Sequence, residues 1–314
     1  MFNLKNLLIL LLLTALAGGT AYGHQLWDGG GDGESWEDPL NWNPDALPPD
    51  DQAARINGGA NVYVDSDSGS QSAGYLQIGF KPWGEATGAT VNVETGGSLH
   101  ILHATDIGAG TDGSDSYLNV DGGYIRTNTS FRVGANRSGI TGVGRTYVNI
   151  TNGGVVSARD SFNSKLNDPA VDTYGEINID NGTLQIDKEL WLGWYQNSGT
   201  FNINMTSGRV SADDLVISHG NYTKSHFQLD GGVVDVNSFA ISEGAHTDGS
   251  MDLTGDGLLI IDSNVVPTIE TYVERGVLTA YGTDNLAYEY DSAAGQTIVQ
   301  VPEPATVALL GSSM

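Results

Sequence analysis

The sequence predicts an all-β fold, a single-stranded parallel β-solenoid (β-helix) with three short strands per rung and a period of about 27 residues. Three observations lead to this prediction. Apolar and polar residues alternate in short stretches, glycine-containing turns separate the stretches, and one motif recurs at a nearly constant interval. Because so short a strand cannot bury its apolar face alone, successive coils of the chain must stack on one another.

The recurring motif is an apolar–polar–apolar strand, a turn of Asp, Asn, Thr or Ser with Gly, and a second apolar strand. Its copies are Thr90–Leu99, Tyr117–Ile125, Tyr147–Val155, Glu176–Leu184, Phe201–Val210, Phe227–Val233 and Met251–Leu258. We expect the turn glycines to supply the positive φ angles that the corners require. These glycines are Gly97, Gly123, Gly154, Gly182, Gly208 and Gly232, at intervals of 24 to 31 residues. Regular turns also fit a sandwich or barrel, but those folds seldom repeat one motif at this spacing.

The composition excludes several classes of function. The 314 residues include no cysteine, which rules out disulfides and cysteine-based metal sites. Asp and Glu number 38 against 13 Lys and Arg, a formal net charge of −25. A surface of that charge repels phosphates, so we do not expect a nucleic-acid partner.

The N-terminus has the pattern of a secretory signal peptide over residues 1–23. Lys5 provides a positive start, Leu7–Ala17 is an apolar run too short to span a bilayer, and small residues precede the expected cleavage between Gly23 and His24. Cleavage there removes one basic and no acidic residue, so the mature chain would carry a net charge of −26.

The rest of the chain divides into four segments. Residues 24–53 carry three tryptophans and several prolines and are expected to cap the open end of the solenoid. Residues 54–265 hold the repeats. Residues 266–300 are expected to close the other end, with one short helix near Thr268–Arg275 and a hairpin around Ser292–Gly295. Residues 301–314 form the tail.

The tail carries the triplet Pro302-Glu303-Pro304 after Val301, followed directly by apolar residues. This strongly resembles the PEP-CTERM sorting signal of Gram-negative bacteria, and the tryptophan-rich segment 24–53 resembles the start of autotransporter-like repeat proteins that carry such tails. The resemblance implies processing by an exosortase and an association with exopolysaccharide and biofilm. In the family an apolar helix and an Arg-rich tail follow. Here the sequence stops at Met314 before either, so the chain is truncated or its signal is not functional as it stands.

A search for chemistry finds no catalytic or metal-binding constellation. The sequence lacks the Asp, Arg and His motifs of β-helical pectate lyases and polygalacturonases, and no cofactor is expected. An oxygen-rich cluster in the cap leaves calcium as an open alternative; it comprises Asp28, Asp32, Glu34, Glu37 and Asp38. Trp191, Trp194 and Tyr195 fall in one rung and are a candidate sugar platform, with core filling or edge shielding as the alternative.

One polar residue recurs inside the first strand of each repeat and is expected to form an outward column. The column comprises Asn92, Asn119, Asn149, Asn178 and Asn202, continued by Gln228 and Asp252. Stacked amides can hydrogen-bond along such a ladder. The ladder therefore either stabilises the rod or faces a periodic ligand such as a polysaccharide.

Together these observations predict an exported, non-catalytic β-solenoid at the cell surface or in the extracellular matrix of a Gram-negative bacterium, with a structural or adhesive role. Exosortase and exopolysaccharide are the expected partners. Contact with the membrane is expected to be transient or to require the missing C-terminal helix. The alternative is a carbohydrate-binding or polysaccharide-degrading β-helix protein.

Overall fold

The computed structural model describes residues 23–79, 87–108, 113–134, 144–165, 173–194, 199–219, 223–242 and 248–302. It confirms the predicted fold: parallel sheets form a β-solenoid of about eight turns, with a rung spacing of about 26 residues. Each rung passes through three faces of the rod. Nine strands stacked at about 4.8 Å make a rod roughly 40 Å long.

The first face is a sheet of nine parallel strands. Its strands, from the N-terminal end of the rod, are β4 (Asn61–Val64), β7 (Thr90–Glu94), β10 (Ser116–Asp121), β13 (Arg145–Thr151), β16 (Thr173–Asp180), β19 (Gly199–Met205), β21 (Thr223–Leu229), β23 (Asp248–Leu253) and β25 (Leu278–Ala280). Every neighbouring pair is in register, so residues of equivalent position form columns along the rod.

The second and third faces complete each rung. The second face holds β5 (Ser70–Ala73), β8 (Ser98–Ile101), β11 (Tyr124–Thr127), β14 (Val155–Ala158), β17 (Gly182–Ile186) and β24 (Leu258–Ile261). The third face holds β3 (Ala53–Ile56), β6 (Tyr75–Ile78), β9 (Thr105–Ile107), β12 (Phe131–Val133), β15 (Ser161–Lys165) and β18 (Glu189–Trp194). In two late rungs one long strand, β20 (Gly208–Ile217) or β22 (Val233–Ile241), serves both faces.

The core consists of inward-facing aliphatic and aromatic residues that lie directly over one another. On the first face one such column runs from Val91 through Leu118 and Val148 to Ile177, and all four side chains are fully buried. On the third face the rings of Phe131 and Phe162 stack with their centroids 5.2 Å apart. The inward positions recur in each rung. The alternation of apolar and polar residues along a strand therefore shows which side chains point into the core.

The corner glycines meet the expectation in part: Gly208 and Gly232 have the predicted positive φ, at 102° and 82°, whereas the other four do not. In the pair Gly122–Gly123 the first glycine has a positive φ of 69°, whereas the second does not. A Cβ on Gly123 would lie 2.4 Å from the carbonyl oxygen of Val93 in the rung below. The second glycine is therefore required by the close approach of two backbones, and the same holds for Gly97, Gly154 and Gly182.

The N-terminal segment closes one end of the rod. It contains β1 (His24–Trp27), a 3₁₀ turn (Pro39–Asn41) and β2 (Trp42–Asn43), and β1 pairs with β3 in parallel and with β2 in antiparallel fashion. Trp36 and Trp42 are fully buried, and the indole nitrogen of Trp42 donates to the carbonyl oxygen of Trp36 at 2.9 Å. The tryptophans thus cover the first rungs of the core.

The C-terminal end is closed by a helix and a hairpin. Helix α1 (Val266–Glu274) follows β24 and buries Ile269 and Val273. The hairpin of β26 (Ala287–Asp291) and β27 (Gln296–Gln300) is antiparallel, and β27 pairs with β24. Within the described residues no helix has the length and apolarity needed to cross a membrane.

Candidate functional site

The outward surface of the first face is a flat polar ribbon made of three columns. The tyrosine column is Thr90, Tyr117, Tyr147, Glu176, Asn202, His226 and Ser250. The asparagine ladder is Asn92, Asn119, Asn149, Asn178 and Asn204. The aspartate–threonine column is Asp121, Thr151, Asp180, Thr206, Asp230 and Thr254.

The asparagine ladder is continuous over six rungs. The amide nitrogen of each member donates to the amide oxygen one rung below, over 2.8 to 3.0 Å, and Asn61 accepts the bond from Asn92. All five ladder amides are half-buried. Each amide is thus held by a neighbour of the same kind, which fixes its orientation along the rod.

Asn202 does not belong to the ladder, and its predicted place there is wrong. The register pairs Asn202 with Glu176 and places Asn204 beside Asn178. Strand β19 has two outward asparagines two residues apart, and the inward position after the ladder residue is Met205 instead of Val or Ile. The motif was therefore aligned two residues too early in this copy, and Asn204 was missed.

The tyrosine column is half-buried, and its two tyrosine rings stack on each other. The rings of Tyr117 and Tyr147 are nearly parallel, 10° apart, with their centroids separated by 5.0 Å. Because the two rings face each other along the rod, the faces between them are not open to a sugar ring. Tyr174 lies two residues before Glu176 on the same strand, β16. Burial together with a hydrogen bond to Glu176 raises the pKa of Tyr174 to about 12, so this phenol stays protonated at neutral pH.

The aspartate–threonine column alternates strictly from Asp121 to Thr254. The hydroxyl of Thr151 donates to the carboxylate of Asp121 at 3.0 Å, and Thr206 donates to Asp180 at 3.0 Å. Carboxylates on adjacent rungs would lie about 4.8 Å apart, whereas alternation doubles that separation to about 9.6 Å. Glu94 precedes this stretch and is paired with Asp121, so two carboxylates lie on adjacent rungs there. From Asp121 onward the column places negative charge along the corner of the rod while keeping like charges apart.

The predicted aromatic platform on the third face is only partly described. The Trp191 ring stacks on the imidazole of His219 with the centroids 4.4 Å apart and the planes 8° apart. Burial lowers the pKa of His219, which favours the neutral imidazole in that stack. The side chain of Trp194 and all of Tyr195 lie outside the described part of the chain.

The acidic loop of the cap uses its carboxylates to hold its own backbone. Hydrogen bonds from Ser35, the N–H of Glu34 and the amide of Asn41 hold the pKa of Asp32 well below its usual value. The carboxylate of Asp38 accepts from the N–H of Asp32 at 3.0 Å. Across the described ranges, no group of three or more His, Cys, Asp or Glu side chains is arranged to hold a metal ion.

The predicted processing sites lie at the two ends of the described chain. The carbonyl oxygen of Gly23 accepts a hydrogen bond from Ala53 at 3.2 Å, and β1 begins at His24. Val301 and Pro302 follow β27 and are half-buried, while Glu303 and Pro304 lie outside the described residues, as do residues 1–22 of the predicted signal peptide.

Comparisons of the chain with protein families, with curated proteins and with solved structures found no match. The site is therefore interpreted from its own chemistry.

Proposed function

We propose that the protein is an exported, non-catalytic β-solenoid of the cell surface or extracellular matrix, with a structural and adhesive role. The observation that carries the proposal is the asparagine ladder: the repeated outward amides bond to one another and so reinforce the rod along its axis. A stiff rod with a flat polar side suits a molecule that spans or links material outside the cell.

The sequence supplies the route to that location. The apolar segment Leu7–Ala17 marks the chain for export, and the resemblance of Val301–Pro304 to a PEP-CTERM signal points to sorting by an exosortase-type system. The net charge of −25 supports solubility and discourages edge-to-edge association of a repetitive β protein. Exopolysaccharide is the proposed partner, lying along the hydroxyls and amides of the first face.

Expression in a Gram-negative host that has an exosortase tests this proposal. We expect the chain to appear in the surface or extracellular fraction with His24 as its first residue. In a chain extended by an apolar helix and an Arg-rich tail, Glu303→Ala should remain in the cell envelope, and Glu289→Ala, which removes an exposed carboxylate of β26, should behave as the wild type. An uncleaved chain in the cytoplasm would overturn the proposed export. Equal distribution of Glu303→Ala and the wild type would overturn the proposed sorting.

A further inference from the structure

The regular pattern of the first face breaks at strand β21. There Gln228 occupies the position of the ladder asparagines. Its amide nitrogen donates along the strand to the carboxylate of Asp230 at 2.6 Å, and its amide oxygen lies 3.2 Å from Nε2 of His226. The amide of Gln228 thus connects side chains of its own strand instead of continuing the ladder. A local departure from a repeated pattern is where a functional site is expected in a repeat protein.

The broken pattern places a serine against a histidine. Nδ1 of His226 lies 2.9 Å from Oγ of Ser250 in the next rung. Because the amide nitrogen of Gln228 is bonded to Asp230, its oxygen must face the imidazole and accept a hydrogen bond from Nε2–H. The network therefore assigns the hydrogen of the neutral imidazole to Nε2, and it leaves the lone pair of Nδ1 to accept the hydroxyl hydrogen of Ser250.

This is the arrangement of an activated nucleophile: a hydroxyl, a base within hydrogen-bond distance, and a third group that orients the base. Asp230, which also accepts from Thr254, anchors the chain of hydrogen bonds at its far end. We propose that Ser250 is a covalent attachment site that takes an acyl group from a carboxylic ester, with His226 as its base. Gln228 acts through His226 and is a positioning residue.

The reaction balances with the ester alone. Oγ of Ser250 attacks the carbonyl carbon and its proton passes to Nδ1 of His226, while Nε2–H remains bonded to Gln228. The tetrahedral intermediate collapses, the C–O bond to the alcohol breaks, and the leaving alkoxide takes the proton from Nδ1. The products are acyl-Ser250 and a free alcohol, and His226 returns to its neutral state.

The surroundings favour attachment over turnover. Ser250 and His226 are half-buried on a flat face, so an ester borne by an extended polymer can reach them as easily as a small molecule. The backbone N–H of Met251, beside Ser250, donates to the carbonyl oxygen of Val277 at 2.9 Å and cannot serve an oxyanion. One oxyanion donor contributes about 10²–10³ in rate, so acylation and hydrolysis are both slow without it. Which step is faster then depends on the leaving group: an ester with a better leaving group than the serine alkoxide, such as an aryl ester, acylates Ser250 faster than the acyl-serine hydrolyses, so the acyl-serine accumulates.

The test is acetylation of the purified chain by p-nitrophenyl acetate. We expect a burst of p-nitrophenolate of at most one equivalent, and peptide mapping of the wild-type adduct should place the acetyl group on Ser250. Ser250→Ala should abolish the burst. His226→Gln, which keeps a polar side chain but removes the base, should slow the burst by about 10²–10⁴. Ser211→Ala, an outward serine of the second face, is the matched control and should acetylate as the wild type.

The positioning role of Gln228 has its own measurement. Gln228→Glu combined with Asp230→Asn retains an acceptor oxygen for Nε2 and a donor–acceptor contact between residues 228 and 230, and should keep the burst. Gln228→Leu should lower its rate although Ser250 and His226 remain. Circular dichroism establishes that each variant is folded. An acetyl group that maps to Lys224 or elsewhere, a burst that persists in Ser250→Ala, or a normal rate in His226→Gln would overturn the proposal. The assay uses the purified protein, so its outcome does not depend on export or sorting.

Discussion

The asparagine ladder should contribute measurably to stability, and Asn149 is its most informative member. Asn149 donates to Asn119 at 2.8 Å and accepts from Asn178 at 3.0 Å, so Asn149→Ala removes two amide hydrogen bonds. At about 1 kcal/mol each, the loss is about 2 kcal/mol. The matched control is Asn202→Ala, since among the described residues Asn202 donates only to the hydroxyl of Tyr174, over a long 3.4 Å. That variant should cost less than about 0.5 kcal/mol.

Urea denaturation followed by circular dichroism measures the free energy of unfolding of both variants. Hydrogen exchange of the β13 amides adds a local measurement, because rungs of a solenoid interact chiefly with their neighbours. Asn149→Ala should expose β13 to faster exchange, while Asn202→Ala should leave β19 unchanged. Equal losses of stability in the two variants would refute the reasoning, since the variants differ only in whether the amide belongs to the ladder.

Two further predictions concern the corners and the cap. Gly123→Ala should destabilise the rod by about 2–3 kcal/mol because its Cβ meets the backbone of Val93, whereas Gly58→Ala, with φ of 77° and open space around it, should cost about 1 kcal/mol in the same urea assay. Similar losses at both glycines would contradict the close-approach argument. The depressed pKa of Asp32 stabilises the folded cap above the unfolded pKa of about 3.9, and this stability is lost as pH falls. Because the folded pKa lies well below the unfolded one, part of this stability is still present at pH 2. Asp32→Asn should therefore lower the urea midpoint of the cap, followed by Trp42 fluorescence, by more at pH 7 than at pH 2; an equal shift at both values would exclude a role for the charge.

The alternation of apolar and polar residues was sufficient to predict the solenoid because successive residues of each strand point alternately into the core and out to the surface. Apolar side chains such as Val91, Leu118 and Val148 return at the same position, and the parallel sheets place them in columns. The pattern of one strand therefore specifies a face, and its repetition specifies the stack. The closing hairpin of β26 and β27 could be predicted from its turn residues Ser292–Gly295.

The exact register along the rod was harder to predict. Asn202 and Asn204 are both outward in β19, and alternation alone cannot decide which of the two continues the ladder. Only the backbone pairing with β16 decides it. For the same reason the contact of His226 with Ser250 was missed: the two residues are 24 apart in sequence and come together only through the pairing of β21 with β23. Aligning the repeats by strand register, so that each outward residue is set beside its partner in the next rung, would have found both Asn204 and the contact of His226 with Ser250.

The alternation of aspartate and threonine along one corner limits how such a rod can gain or lose length. Removing the rung that contains Thr151 would bring the carboxylates of Asp121 and Asp180 onto adjacent coils, where they repel each other and Asp121 loses its hydroxyl donor. Removing two consecutive rungs would restore the original order. Within the stretch from Asp121 to Thr254, the unit by which the rod can be shortened or duplicated without bringing carboxylates onto adjacent coils is therefore a pair of coils, although the backbone repeats with every one. The pair Glu94–Asp121, which precedes that stretch, lies outside this rule.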